Sequence, residues 1–250
     1  MTSGAKNKAH QLAEAAGGLI EQRRNGDDGE VPASLSYLAA HGINRGVDRE
    51  VRRLRMDGTP WGDLDPDTAR PLVEIDPGLV VLLGAHRNGY VREVVVQHAG
   101  DLTHIPGVVS MLAFRCVDRV PPISESAQAS LRSLLAVALD GNSEEPMTTV
   151  INRAAKGIVV SPDSVIHCPD LVVMALKLFE TRAPRWRRDR GRDHHERTLK
   201  EVDRRSQVLE HLRHIEATLD DDASRAACTQ LIEFYEHSLV MTPRGVSPTT

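Results

Sequence analysis

Apolar residues recur at helical spacing along most of the chain. One such stripe falls at positions i, i+3, i+4, i+7 and i+11 and consists of Val91, Val94, Val95, His98 and Leu102. That spacing places the side chains on one face of an α-helix, whereas a strand requires strict alternation. Only the segment KGIVVSPDSV, from Lys156, is compatible with a short strand, and one strand makes no sheet. The pattern therefore predicts an all-α protein.

The stretch from Asp76 to Ala136 contains a tandem repeat with a shift of 29 residues. PGLVVLLGAHR begins at Pro77 and PGVVSMLAFRC begins at Pro106. A second helical segment follows each of them, YVREVVVQHAGDL in the first case and PPISESAQASLRSLL in the second. A repeated helix pair is typical of an α-solenoid, whose units bury their apolar faces by stacking on neighbours. We therefore predict an α/α superhelix.

The pattern divides the chain into five regions. Residues 1–64 are predicted to form an N-terminal helical region, which includes a short hairpin of PASLSYLAAHGI and VDREVRRLRMDG. The repeat region is predicted over 65–182, and a basic linker follows over 183–197. Two amphipathic helices are predicted to form a C-terminal hairpin over 198–241, and 242–250 are predicted to be a disordered tail.

Helix starts in this chain share one pattern, in which an acidic residue and a proline precede an apolar run. The carboxylate can cap free N–H groups, and proline is tolerated in the first turn. The pattern occurs at Asp65–Pro66, Asp76–Pro77 and Glu145–Pro146. Cys168–Pro169 repeats it with a thiol in the capping position.

The composition agrees with a helical core built from aliphatic side chains. The 250 residues include two Trp, three Tyr and three Phe, and 40% of them are hydrophobic. No apolar run approaches the roughly 20 residues that a membrane-spanning helix needs, and the segment MTSGAKNKAHQLAEAAGG has no signal-peptide core. The three cysteines are isolated and indicate neither a disulfide framework nor a zinc motif. We therefore expect a cytoplasmic protein that does not contact membranes.

The chain has a net charge of −4, and its charged residues are distributed unevenly along the sequence. Residues 182–200 contain eight Lys or Arg and three acids, a local charge of +5, so the remainder carries −9. Within this segment Trp186 is surrounded by Arg185, Arg187, Arg188, Arg190 and Arg192. Guanidinium groups pair with phosphate or carboxylate, and an indole can stack on a base. The segment is therefore a candidate site for a protein partner or nucleic acid, and the alternative is a solvated loop paired with the acidic remainder.

Motifs for catalysis are not found in the sequence. It contains no phosphate loop, dinucleotide-binding glycine motif, nucleophile elbow or H-E-x-x-H motif. We therefore expect no enzymatic activity, no cofactor and no metal site. His211 and His214 are three residues apart but lie off the centre of the apolar stripe, which favours a solvated helix face over a zinc site.

Cys168 is a candidate reactive thiol. A helix N-terminus favours the thiolate form, but Asp170 in the same first turn opposes ionisation. The alternative to a reactive thiol is an inert capping or buried cysteine.

The segment DPGLVVLLGAHRNGYVREVVVQHAGDL resembles a HEAT-like repeat of the short, phycobilisome-lyase type. The family pattern has a proline, spaced leucines, an Asp or Asn turn and a Val-Arg pair, and its positions are occupied by Pro77, Leu79, Leu82, Asn88, Val91 and Arg92. The second unit keeps Pro106, Val108, Met111 and Leu112, and Ile123 stands where the first has Val91. Ser124 replaces the arginine there, and the loop is three residues longer. The resemblance implies a superhelix that contacts proteins or nucleic acids, and it implies no reaction.

These observations lead to one principal hypothesis and two alternatives. The principal hypothesis is a non-enzymatic HEAT-like scaffold that binds a macromolecular partner, with a protein as the preferred class. The first alternative is a nucleic-acid-binding protein similar to the DNA-base glycosylases that carry aromatic residues and an Asp on a concave HEAT-like surface, although Trp61 and Trp186 both lie outside the recognisable repeats. The second alternative is a thiol-based sensor that uses Cys168.

Overall fold

The computed structural model describes residues 2–27, 30–141, 145–159, 161–178 and 199–240. Within these ranges the regular structure is entirely helical, which confirms the prediction of an all-α protein. The segment considered as a strand is helical up to Val159. The chain divides into two compact units, residues 1–154 and 155–250, and the division lies inside the predicted repeat region.

The first unit contains eight helices, the start of a ninth and one 3-10 turn in its described part. They are α1 (Thr2–Arg24), α2 (Ala33–His41), α3 (Arg45–Val51), α4 (Pro66–Leu72), α5 (Pro77–Leu83), α6 (Gly89–Ala99), the 3-10 turn (Gly100–Leu102), α7 (Pro106–Arg115), α8 (Pro121–Leu139) and α9 (Glu145–Val159), which continues into the second unit. The second unit adds α10 (Pro162–His167), α11 (Pro169–Lys177), α12 (Leu199–Thr218) and α13 (Asp222–Val240).

The predicted helix starts are found at α4 and α5. Asp65 caps α4 by accepting a hydrogen bond from the Thr68 amide at 2.8 Å. Asp76 caps α5 by accepting one from the Gly78 amide at 2.7 Å. A proline occupies the first turn in both helices, where its missing N–H leaves no intrahelical bond unmade. Cys168 is the N-cap residue of α11, and its side chain makes no capping hydrogen bond.

The tandem repeat corresponds to two neighbouring helix pairs, α5–α6 and α7–α8. The first helices of the two pairs, α5 and α7, pack against each other, and so do the second helices, α6 and α8. Helix α2 lies against both α5 and α7. Added Cβ atoms would lie 1.9 Å from the Leu35 oxygen at Gly78 and 2.0 Å from the Leu38 oxygen at Gly107. The repeated Pro-Gly pair therefore permits α2 to approach the start of both helices.

The buried face of α6 differs from the predicted stripe. Val91 and Val95 are buried as expected, whereas Val94, His98 and Leu102 are half-buried. The face that is buried consists of Val91, Arg92, Val95, Val96 and Ala99. The shift arises because α6 packs against α4 and α5 as well as against α7 and α8, so a wider arc of the helix is enclosed.

The second unit contains the predicted pair of C-terminal helices. Helices α12 and α13 pack against each other, α10 lies against α12, and α11 lies against α13. The predicted stripe is buried, and it consists of Val208, Leu212 and Ile215 on α12 and Leu219 directly after the helix. The basic linker at 183–197 and the tail at 242–250 lie outside the described residues. Among the residues that are described, no helix has the length and apolar character needed to cross a bilayer.

Candidate anion-binding site

An open cleft of about 570 Å³ lies in the first unit beside the C-terminal end of α3. Four arginines dominate its lining, which consists of Arg52, Arg53, Leu54, Arg55, Gly62, Arg87 and Asn88. We refer to it as the arginine cleft. Its volume falls within the range of about 300–1,000 Å³ that small-ligand sites occupy.

Three of the cleft arginines, Arg52, Arg53 and Arg55, lie in the segment directly after α3, which ends earlier than the sequence pattern predicted. The sequence pattern predicted that this helix would continue toward Gly58, but it ends at Val51, with Arg52 as its C-cap residue. The loop after it turns back on the segment 52–56, and a Cβ at Gly62 would lie 1.8 Å from the Met56 oxygen. This close return of the loop leaves no room for a longer helix, so Arg53 and Arg55 belong to the cleft rather than to a helix face.

The opposite side of the cleft is the turn between α5 and α6. Arg87 forms an ion pair with Asp57 and donates a hydrogen bond to the Gly62 oxygen at 3.2 Å. The Asn88 amide group donates to the Leu64 oxygen at 3.4 Å. These bonds connect the turn to the loop over 57–64, so both walls of the cleft are held by contacts that span more than 20 residues of sequence.

A buried histidine, His86, also connects the turn between α5 and α6 to the loop over 57–64. His86 Nε2 donates to the Trp61 carbonyl oxygen at 3.0 Å, and its Nδ1 accepts a hydrogen bond from the backbone N–H of Asn88 at 3.2 Å. This pair of bonds defines a neutral imidazole with its hydrogen on Nε2. Burial lowers the pKa of His86, and the Arg87 and Arg92 charges add to that effect.

A buried ion network lies behind Arg52. The Asp118 carboxylate is fully buried and accepts two hydrogen bonds from Arg92, from Nε at 3.1 Å and from Nη2 at 3.0 Å. It also accepts one from Arg115 Nη1 at 3.3 Å, and Arg52 Nη2 lies 3.3 Å from the same oxygen. Arg115 is buried as well, and its other terminal nitrogen pairs with Asp48.

This network contains more positive than negative charge. Three arginines share two aspartates, which leaves a net charge of +1. Burial alone would raise the pKa of Asp118, but the bidentate Arg92 and the charges of Arg52 and Arg115 outweigh it and hold the pKa below its usual value. Burial lowers the pKa of Arg52, and repulsion from Arg115 contributes to the shift. The electrostatic field at Arg52 therefore favours an additional anion.

The other arginines of the cleft differ in their pairing. Arg53 lies 3.2 Å from the Glu50 carboxylate, and Arg87 is paired with Asp57. Arg55 is exposed and has no ion-pair partner among the described residues. Summed over the network, Arg55 and the Arg53–Glu50 and Arg87–Asp57 pairs, the charge of these groups is +2.

The residues singled out by the sequence do not belong to this cleft. The six members of the basic segment, Arg185, Trp186, Arg187, Arg188, Arg190 and Arg192, lie outside the described residues. Trp61 is 1% exposed and packs edge-on against His86, so it offers no surface for stacking a base. Cys168 is 1% exposed at the start of α11 in the second unit. Within the described ranges, no group of three His, Cys, Asp or Glu side chains is placed to hold a metal ion.

The arginine cleft carried a signal that the sequence reading missed. The run Arg52-Arg53-Leu54-Arg55 stands immediately before a Gly- and Pro-containing loop, where a helix end is expected. Asn88 and Asp118 also take the same role in the two helix pairs, because each accepts a hydrogen bond from the amide two residues later. Of these two turn residues, the sequence reading identified only the first.

No protein-family model matches this chain, and no similar protein was found among curated sequences or solved structures.

Proposed function

We propose that the protein is a non-enzymatic, HEAT-like α/α superhelical scaffold, and that an acidic protein partner binds in its arginine cleft. The observation that carries this proposal is the unbalanced charge of +2 at an open cleft whose walls are held by long-range hydrogen bonds. The stacking of α5 on α7 and of α6 on α8 supports the scaffold part of the proposal.

The cleft is suited to holding an anion rather than to moving protons. Its described lining offers guanidinium groups and one side-chain amide, together with Leu54 and Gly62. A guanidinium stays protonated at neutral pH, so it donates hydrogen bonds and positive charge but does not act as an acid or a base. Arg52 is also fixed in place by Asp118, which reduces the side-chain entropy lost when a ligand binds.

A partner-capture experiment tests this proposal with matched charge reversals. Arg55→Glu changes the unpaired arginine of the cleft, and Arg49→Glu changes an exposed arginine of α3 that does not line it. Each protein is immobilised and incubated with nuclease-treated lysate from the source cells. We expect a partner that the wild type and Arg49→Glu retain and that Arg55→Glu loses. An identical set of captured proteins for all three baits would contradict the proposal.

Nucleic-acid binding through residues 182–200 is the second candidate, because that segment carries a charge of +5 around Trp186. Binding by phosphate contacts weakens steeply with salt as counterions are recaptured. Replacing Arg187, Arg188 and Arg190 together with Ala should flatten the salt dependence, and Trp186→Ala should weaken single-strand binding by about 1–3 kcal/mol. If the wild type binds no DNA or RNA at low salt, this candidate is eliminated.

A further inference from the structure

We infer that the arginine cleft recognises a phosphate monoester, carried on a phosphorylated serine or threonine of the partner. This inference rests on the proposed function, since it names the chemical group that the partner would present to the same cleft.

The charge at the cleft selects a dianion over a single carboxylate. The network of Arg52, Arg92 and Arg115 with two aspartates leaves +1, and Arg55 adds another positive charge. A phosphate monoester carries a charge of about −1.5 to −2 at pH 7, which balances this excess. A glutamate or aspartate side chain would balance only half of it.

The donors of the cleft also match the shape of a phosphoryl group. Arginine presents its N–H groups as a planar fork, which fits two oxygens of a phosphate at once. Arg52 and Arg55 are three residues apart in an irregular segment, and Arg87 and Asn88 lie across the cleft. Hydrogen-bond donors therefore stand on both sides of the cleft. A phosphate monoester offers these donors three oxygens, whereas a carboxylate offers them two.

The lining favours a phosphorylated side chain over a free nucleotide. Apart from arginines, the described lining consists of Leu54, Gly62 and Asn88, which provides no aromatic face for a base. The nearby indole of Trp61 is buried against His86 and is closed to a ligand. A group that enters from an open surface and is held by its phosphate alone suits a modified side chain on a protein.

Fluorescence anisotropy with four labelled peptides tests the inference. The peptides share one Gly- and Ala-rich sequence and carry phosphoserine, serine, one glutamate or two adjacent glutamates at the centre. The phosphoserine peptide should bind the full-length protein at least about tenfold more tightly than any other, because charge-assisted bonds to a second oxygen pair are lost in the others. The peptide with two glutamates controls for total charge.

Matched variants locate the binding. Arg55→Gln should weaken binding of the phosphoserine peptide by about tenfold, whereas Arg49→Gln, which removes the same charge from outside the cleft, should change it less than about twofold. Arg55 makes no hydrogen bond among the described residues, so its replacement should leave the fold intact. Circular dichroism of both variants checks this.

The outcomes separate the inference from the proposed function. Equal binding of the phosphoserine and double-glutamate peptides would overturn the inference and leave the acidic-partner proposal standing. Binding of the phosphoserine peptide with no Arg55-dependent partner in the capture experiment would support recognition of a phosphate monoester by the cleft and contradict the proposed function. If adenosine monophosphate binds in the cleft and the phosphoserine peptide does not, the phosphorylated side chain is the wrong source. Binding that Arg55→Gln leaves unchanged would place the site elsewhere and overturn the inference.

Discussion

Replacement of Asp118 with asparagine tests the buried ion network behind the arginine cleft. The side chain keeps its size, but Arg52, Arg92 and Arg115 lose the negative charge that they share, and only Arg115 keeps a second carboxylate, that of Asp48. The net charge of the network rises from +1 to +2, and the new amide nitrogen cannot accept the hydrogen bonds that the carboxylate accepted. Removing one partner of a buried ion pair costs about 3–5 kcal/mol, because the remaining charges stay buried without compensation.

The loss can be measured by urea unfolding with Trp61 as the probe. Trp61 is buried in the first unit, so in a Trp186→Phe background its fluorescence reports the unfolding of that unit. With an m-value of about 2 kcal/mol per M in urea, a loss of about 4 kcal/mol lowers the midpoint by about 2 M. The same measurement is made on Asp57→Asn as a control.

The control removes the same charge from an exposed pair. Asp57 is 69% exposed and pairs with Arg87 at the surface, where an ion pair contributes about 0–1 kcal/mol. The midpoint of Asp57→Asn should therefore shift by less than about 0.5 M. If Asp118→Asn shifts the midpoint as little as this control does, the network does not stabilise the first unit and the reasoning fails.

Close packing, protonation and thiol burial each give a further expected result. Gly78→Ala should reduce stability by about 1–3 kcal/mol or more, because the added Cβ would meet an α2 carbonyl oxygen at 1.9 Å. Gly18→Ala has open space around the added Cβ and should raise stability by about 0.5–1 kcal/mol. The urea midpoints of the two variants test this difference. Because the folded pKa of His86 is lowered, the unfolded state binds more protons just below about pH 6.5. Stability should therefore fall as pH drops below that value, and His86→Gln should flatten the slope. If Cys168 is a reactive thiol, iodoacetamide at pH 7.5 should label it faster than Cys116 and Cys228. Burial raises the pKa of Cys228 to about 12, so Cys116 is the stricter comparison. Equal labelling rates would remove the thiol-sensor alternative.

Local signals in the sequence were sufficient to predict the starts of α4 and α5. The acid-proline starts at Asp65 and Asp76 depend on neighbouring residues only, so the pattern identifies them without knowledge of the fold. The repeated Pro-Gly pair also marked two equivalent helices, although its packing against α2 could be recognised only in three dimensions. The apolar stripe on α12 was predicted from the spacing of residues within that helix alone.

The site depended on contacts that no local pattern contains. Arg92 pairs with Asp118 across 26 residues and Arg115 pairs with Asp48 across 67, so neither partner can be assigned from spacing along one helix. An arginine on a helix is usually read as solvent-exposed, and Arg92 is buried because its charge is neutralised by a distant residue. The early end of α3 was missed because it results from the return of the loop at Gly62.

An NMR titration of arginine side chains with the phosphoserine peptide tests the central claim, that the arginine cleft is the binding site. In spectra of ¹⁵N-labelled protein, the Nε–Hε signals of Arg52 and Arg55 should shift with the added peptide. Arg213 and Arg225, which are paired with carboxylates in the second unit, should remain unchanged and serve as internal controls. If the largest shifts instead belong to arginines of residues 182–200, or if Arg52 and Arg55 do not respond while the peptide binds, the account is contradicted.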